Sequence, residues 1–195
     1  SNADANYDNA LGVYEVDGVG DIVDVRLLFN DVLLDPSATA TITDVEDGNQ
    51  IGFFIVTLGT SWANSLDDED LLSFVDENDD TANSSDPENV RLAVNGVALG
   101  FGGIIDVYET DRLVFHSFSS AFNEDGKEHV VSGYNVDDLD GNEGNEIDGL
   151  VIGFEDQSNV DNDFQDVLFH VTTTDAFVFI PTTEAPLLDE TESFF

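Results

Sequence analysis

The sequence predicts an all-β protein, an antiparallel β-sandwich of jelly-roll-like form with acidic loops. Its apolar residues fall in short runs rich in Val, Ile, Phe and Tyr, and clusters of Gly, Asp and Asn separate these runs. No regular series of helical segments alternates with them, which favours antiparallel pairing. Although the formal net charge is −39, 41% of the residues are hydrophobic and 15 are Phe, so we expect a packed core rather than a disordered chain.

About ten runs have the length and composition of strands. In chain order they are Leu11 to Val16, Ile22 to Phe29, Ile51 to Leu58, Val90 to Val94, Ile104 to Tyr108, Leu113 to Phe118, His129 to Val136, Leu150 to Phe154, Val167 to Val171 and Phe177 to Ile180. The segment from Ser65 to Val75 instead predicts a helix, with Ser65 as its N-cap and an apolar stripe formed by Leu66, Leu71, Leu72 and Val75.

The length of 195 residues fits one domain with a core that needs no disulfide. We interpret residues 1–3 as an expression scar, residues 4–180 as the domain and residues 181–195 as an acidic tail or linker. The absence of Met predicts that the chain is one unit of a longer protein with neighbouring domains. The absence of Cys excludes thiolate chemistry and fits an extracellular location. No apolar run approaches the length of about 18 residues typical of a membrane span, so we expect no membrane insertion.

The charge balance restricts the possible partners. Against 43 acidic residues the chain has only four basic ones, Arg26, Arg91, Arg112 and Lys127. Nucleic acids and anionic membrane surfaces require basic patches, which four cations cannot form in this field, so both are excluded. The mutual repulsion of the acids predicts that the folded protein has low stability without counterions. Bound divalent cations and a saline habitat are alternative explanations of the same composition.

The sequence places its densest group of acids between two predicted strands. Because the loop joins Leu150 to Phe154 with Val167 to Val171, its carboxylates are held close together at the strand ends. Five of them repel one another unless a cation lies among them, and calcium accepts six to eight oxygen ligands in flexible geometry. We therefore predict a calcium site formed by Glu155, Asp156, Asp161, Asp163 and Asp166.

A second candidate site lies in the segment from Asn123 to His129. Asn123 and Asp125 offer oxygen ligands for a metal, and Gly126 is suited to the turn between them and His129. Histidine is a poor calcium ligand, so we expect His129 to orient a loop or a carboxylate by hydrogen bonding.

Other acidic or aromatic positions have simpler interpretations. The loops 76–80 and 137–146 alternate Asp with Asn, which is compatible with calcium or with a solvated loop, and neither completes an EF-hand. The loop 44–49 contains Asp-Gly and predicts a turn. We expect His116 and His170 to be half-buried sheet residues, and Trp62 to pack at the base of a loop rather than to stack on a sugar.

Several of these segments resemble a known family. The motif Gly153-Phe154-Glu155-Asp156, followed after a spacer by Asp161-x-Asp163-Phe164-x-Asp166-Val167-x-Phe169, is similar to the C-terminal signature of the domain-of-unknown-function family number 4114. The stretches 9–17, 51–55 and 115–129 also fit its pattern, whereas the spacer 157–160 lacks the expected glycines. The family occurs in secreted and surface bacterial proteins, including calcium-dependent adhesins of the repeats-in-toxin (RTX) type. The resemblance implies a calcium-binding domain in an extracellular location and assigns no reaction.

Three classes of function follow from these observations. The first is a calcium-binding, non-enzymatic module of an extracellular bacterial surface protein that serves adhesion or binds a neutral glycan or a peptide. The second is a carboxylate-dependent hydrolase such as a glycosidase, although two acids are easily nominated among 43. The third is a passive structural spacer, which predicts no ligand pocket.

Overall fold

A computed structural model of the chain describes residues 8–34, 38–86, 90–99, 113–123, 126–134, 150–156 and 166–172. In these ranges the protein is almost entirely β, which confirms the predicted fold class. The strands are β1 (Ala10–Val16), β2 (Ile22–Phe29), β3 (Gln50–Val56), β4 (Leu72–Val75), β5 (Arg91–Val94), β6 (Val97–Ala98), β7 (Val114–His116), β8 (Val130–Tyr134), β9 (Leu150–Phe154) and β10 (Val167–Val171), with a short helix α1 (Thr60–Ala63) and a 3₁₀ turn at Ser120–Phe122.

The described strands form two antiparallel sheets. One has seven strands in the order β6-β5-β4-β2-β1-β3-β7, and the other has three in the order β10-β9-β8. A buried cluster joins them, because Leu11, Ile55 and Phe115 of the larger sheet pack with Phe154 and Val167 of the smaller one. The sheets therefore enclose a common core, as in a sandwich.

Strand β1 lies at the centre of the larger sheet and is buried along its whole length. Successive side chains of a strand point to opposite faces. Leu11 and Val13 accordingly face the cluster shared with the smaller sheet, whereas Ala10 and Tyr14 face a second core with Phe74. Burial on both faces explains why β1 reads as a nearly continuous apolar run.

The predicted helix from Ser65 to Val75 is wrong. The structure has helix α1 earlier, a turn closed by the hydrogen bond from Asp70 N to Asp67 O at 3.0 Å, and then strand β4. Leu71 is 72% exposed, which is incompatible with an apolar helical stripe, whereas Phe74 is fully buried. The end of the segment follows a period of two, and pairing with β5 outweighs its helical spacing.

Other sequence-based boundaries agree closely with the structure. Strands β2, β9 and β10 have the predicted bounds, and β1, β3, β5, β7 and β8 overlap their predicted runs. Strand β6 was not predicted, since two residues carry too little pattern. The predicted strands 104–108 and 177–180 lie outside the described residues. Among the described residues, no helix is long and apolar enough to cross a membrane.

His116 is a buried polar residue that packs against aromatic side chains of the core. Its ring lies 4.7 Å from that of Phe74, 5.4 Å from Phe122 and 5.7 Å from Tyr14, measured between centroids. Burial lowers the pKa of His116 to about 3, so the imidazole is neutral in the folded protein. His116 is thus fully rather than half buried, and His170 on β10 is exposed, so only their placement in strands was predicted correctly. Trp62 is buried in the same core, as expected for a packing residue.

Candidate metal centre

Three acidic residues meet where strands β9 and β10 end side by side. Phe154 is opposite Val167 in the register of the two strands. Glu155 and Asp156 directly follow β9, and Asp166 directly precedes β10, so all three stand just beyond this last pair. The hairpin geometry therefore brings together residues that a loop of nine positions separates in the sequence, and we call these three residues the acidic triad.

The acidic triad is compact and withdrawn from solvent. One carboxylate oxygen from each residue lies within 4.8 Å of the others, and Glu155, Asp156 and Asp166 are only 1%, 2% and 7% exposed. Ionised carboxylates at this separation repel one another strongly when little water screens them. A cation among the oxygens would offset this repulsion.

The main chain of Glu155 is held from both sides by His129. The N–H of Glu155 donates to the carbonyl of His129 at 2.9 Å, and His129 Nδ1 lies 3.2 Å from the carbonyl of Glu155. Because a carbonyl only accepts, Nδ1 carries the proton in this contact. The His129 ring also stacks on Phe115, with centroids 3.8 Å apart. This agrees with the sequence-based expectation that His129 orients a loop.

The two aspartates are oriented by N–H donors. The main-chain N–H of Asp156 donates to Oδ2 of Asp166 at 3.0 Å. The side-chain amide of Asn9 donates to Oδ2 of Asp156 at 2.8 Å. Since each carboxylate has two oxygens and several lone pairs, these bonds fix the groups and leave them able to ligate an ion.

The chemistry of the acidic triad suits a hard divalent cation. Carboxylate oxygens are the preferred ligands of calcium, whereas zinc prefers thiolate and imidazole, and the chain contains no Cys. Three carboxylates supply part of the six to eight oxygens that calcium takes. The predicted ligands Asp161 and Asp163 lie in the same loop but outside the described residues.

Asn123 lies in a different setting. Its side-chain oxygen accepts a hydrogen bond from the N–H of His116, and its amide donates to the carbonyl of Lys127, both at 2.8 Å. These bonds join strand β7 to the turn at Gly126, which has a left-handed φ of 66°. Asn123 therefore acts as a structural bridge, and its predicted role as a ligand remains a prediction. Asp125 lies outside the described residues.

The loop 76–80 is held by hydrogen bonds within the loop and by an ion pair with strand β5. Asp76 Oδ1 accepts from the N–H groups of Asn78 at 2.8 Å and Asp80 at 3.0 Å. Asp79 pairs with Arg91 at 2.9 Å. These contacts are typical of a solvated turn. In the loop 44–49, the N–H of Asn49 donates to the carbonyl of Glu46 at 3.1 Å, which confirms the predicted turn. The acidic loop 137–146 lies outside the described residues.

The fold and the site together define an all-β, sandwich-like protein with a buried group of acids where its two sheets meet. No protein-family model matches the chain, and no curated protein or solved structure shows significant similarity to it. Sequence reasoning missed Asn9, which is fully buried and lies 147 positions from Asp156. Its place at the start of the apolar β1 run was the available signal, because a polar residue buried beside a core strand needs a partner.

Proposed function

We propose that the protein is a calcium-binding, non-enzymatic module of an extracellular bacterial surface protein, and that it serves adhesion or ligand binding. The observation that carries the calcium assignment is the acidic triad, whose carboxylates converge within 4.8 Å while almost excluded from solvent. A divalent cation offsets both the local repulsion and the desolvation of these groups.

The wider charge of the chain supports the same proposal. With a net charge of −39, every bound divalent ion also relieves repulsion across the whole molecule. Because the chain has no Cys, calcium would stabilise it in the way that disulfides stabilise other extracellular proteins. The resemblance to domain-of-unknown-function family number 4114 supports the extracellular location and the adhesin setting. The adhesion ligand, a neutral glycan or a peptide, is a proposal of its own.

A hydrolase is the second candidate. Two carboxylates can act as a glycosidase pair, and members of the acidic triad are close enough for that chemistry. However, a catalytic pair must reach a polymeric substrate, and exposures of 1% for Glu155 and 2% for Asp156 leave little access. Burial therefore favours an ion over a substrate at this position.

Calcium titration of matched variants tests the metal assignment. Asp166→Asn removes a carboxylate of the triad, and Asp68→Asn removes one exposed acid elsewhere, so both change the net charge equally. We expect calorimetry to show calcium binding by the parent protein and by Asp68→Asn, with much weaker binding by Asp166→Asn. The rise in melting temperature with calcium should follow the same order.

Salt separates a site from a general field effect. In about 1 M sodium chloride the screening length falls to roughly 3 Å, so long-range repulsion is largely removed. A specific site predicts that the difference between the two variants persists in this salt. If both variants respond to calcium alike at both salt concentrations, the triad is not the calcium site.

The adhesion proposal needs a separate measurement. Binding of the calcium-loaded protein to arrays of neutral glycans and of peptides distinguishes adhesion from a passive spacer, because a spacer binds none of them. Hydrolysis of these glycans or peptides, abolished by Glu155→Gln, would instead support the hydrolase.

A further inference from the structure

We infer that Asn9 is a positioning residue of the acidic triad, and that it couples the triad to the main chain at Leu58, which has a left-handed conformation. The inference rests on the proposed cation site. It adds a residue that orients a ligand, and it predicts that ion binding affects the main chain at Leu58.

Asn9 contacts three separate parts of the chain. Its side-chain Nδ2 donates to Oδ2 of Asp156 at 2.8 Å, and its Oδ1 accepts from the N–H of Leu58 at 3.3 Å. Its main-chain carbonyl accepts from the N–H of Val32 at 3.0 Å. A single residue at the start of β1 therefore connects the triad with the segments that follow β2 and β3.

The orientation of the Asn9 amide is fixed by its partners. The main-chain N–H of Leu58 can only donate, and the carboxylate of Asp156, which must be ionised to ligate a metal, can only accept. If the amide were rotated by half a turn, its NH₂ group would face the N–H of Leu58 and its oxygen would face the carboxylate of Asp156. Both contacts would be unfavourable, because the side chain is fully buried. Asn9 thus presents a donor to the triad in a single direction, as a residue that orients a metal ligand must.

The hydrogen bond from Leu58 to Asn9 connects the triad to a strained part of the main chain. Leu58 has a φ of 52°, a left-handed conformation that is unfavourable for a residue with a Cβ. It lies between strand β3 and helix α1, and the N–H of Gly59 closes the corner on the carbonyl of Val56 at 3.1 Å. An ion that fixes Asp156 also fixes the Asn9 amide, which in turn holds the N–H of this strained corner.

The chain contains a matched control for Asn9. Asn49 also donates its side-chain amide to a carboxylate, Oε2 of Glu15, at 2.8 Å. That bond lies on the loop before β3 and has no contact with the triad among the described hydrogen bonds. Asn9→Ala and Asn49→Ala therefore both remove an amide-to-carboxylate hydrogen bond, once beside the triad and once away from it, and Asn9→Ala also removes the bond from Leu58.

The experiment compares calcium binding and the main-chain amide of Leu58. We expect Asn9→Ala to weaken calcium binding about tenfold by calorimetry, as is typical when an orienting partner of a ligand is lost. Asn49→Ala should bind like the parent protein. In the parent protein, added calcium should shift the Leu58 amide resonance and slow its hydrogen exchange, and these responses should be lost in Asn9→Ala.

The possible outcomes distinguish a failure of the inference from a failure of the proposed function. If the parent protein binds no calcium, both are overturned. If calcium binds and Asp166→Asn abolishes binding, but Asn9→Ala and Asn49→Ala bind equally, only the inference is overturned. The response of the Leu58 amide to calcium is measured in the parent protein, so it can be measured even if Asn9→Ala fails to fold. If this amide is unchanged when calcium saturates the parent protein, the coupling is refuted.

Discussion

Gly52 on strand β3 lies directly opposite Tyr14 on β1, and the ring of Tyr14 fills the space that a side chain at position 52 would occupy. A Cβ added to Gly52 would lie 2.3 Å from Cζ of Tyr14 and 2.6 Å from its hydroxyl. The neighbouring pair repeats the arrangement in reverse, with Gly12 on β1 opposite Phe54 on β3. Two glycines therefore make room for two aromatic rings in the central strands.

We expect Gly52→Ala to destabilise the protein by about 1–3 kcal/mol, because the added methyl group overpacks a core that has no space for it. The control is Gly133→Ala on β8, where a Cβ meets no atom within 4 Å. Chemical denaturation with calcium present measures both changes. Equal unfolding free energies for the two variants would contradict this account of the core.

The buried His116 predicts a dependence of stability on pH. Its pKa is about 3 in the folded protein, whereas an unfolded chain has a His pKa of about 6.5. The neutral imidazole therefore contributes stability that is fully present above about pH 6.5 and is lost as the pH falls toward 3. The maximal slope is about 1.4 kcal/mol per pH unit.

The variant His116→Phe isolates this contribution. Phe preserves an aromatic ring among Tyr14, Phe74 and Phe122 and cannot be protonated. We expect the unfolding free energy of the parent protein to fall relative to that of His116→Phe as the pH is lowered from 7 to 5 at constant calcium and salt. Other titrating groups are shared by both proteins, so parallel curves would show that His116 does not titrate on unfolding.

His129→Phe tests the contribution of the hydrogen bond between the His129 ring and the main chain of Glu155. The substitution keeps a ring that can stack on Phe115 but removes the Nδ1–H that faces the carbonyl of Glu155. Leaving a buried carbonyl without this donor costs about 1–3 kcal/mol. We expect a loss of this size in unfolding free energy, together with weaker calcium binding because the main chain beside the triad is less well held. Unchanged calcium affinity would limit His129 to a role in stability.

Magnesium should replace calcium poorly. Magnesium requires a small octahedral shell and releases water reluctantly, whereas a cluster of buried carboxylates must displace much of that water. We expect the melting temperature in excess magnesium to stay close to that with chelator at matched ionic strength. A rise equal to that with calcium would indicate screening of the overall charge instead.

The sequence predicted the strands well and the site in part, for a physical reason. Strands such as β9 and β10 carry their own pattern of apolar residues, and the hairpin between them brings Glu155 and Asp166 together through local pairing. The helix from Ser65 to Val75 failed because four residues of strand at its end are decided by pairing with β5, a distant segment. The position of Asn9 at the start of the β1 run indicates that it needs a partner, but no short-range pattern shows that this partner, Asp156, lies 147 positions away.

The 147 positions that separate Asn9 from Asp156 along the chain bear on the kinetics of folding. Contacts between such distant residues form late, because the long loop between them must close first. We therefore expect the site to be completed only after the rate-limiting step of folding. Calcium should accordingly leave the folding rate nearly unchanged and slow the unfolding rate. The ion would then stabilise the folded protein kinetically without directing its folding. Stopped-flow refolding and unfolding at several calcium concentrations would reveal this asymmetry.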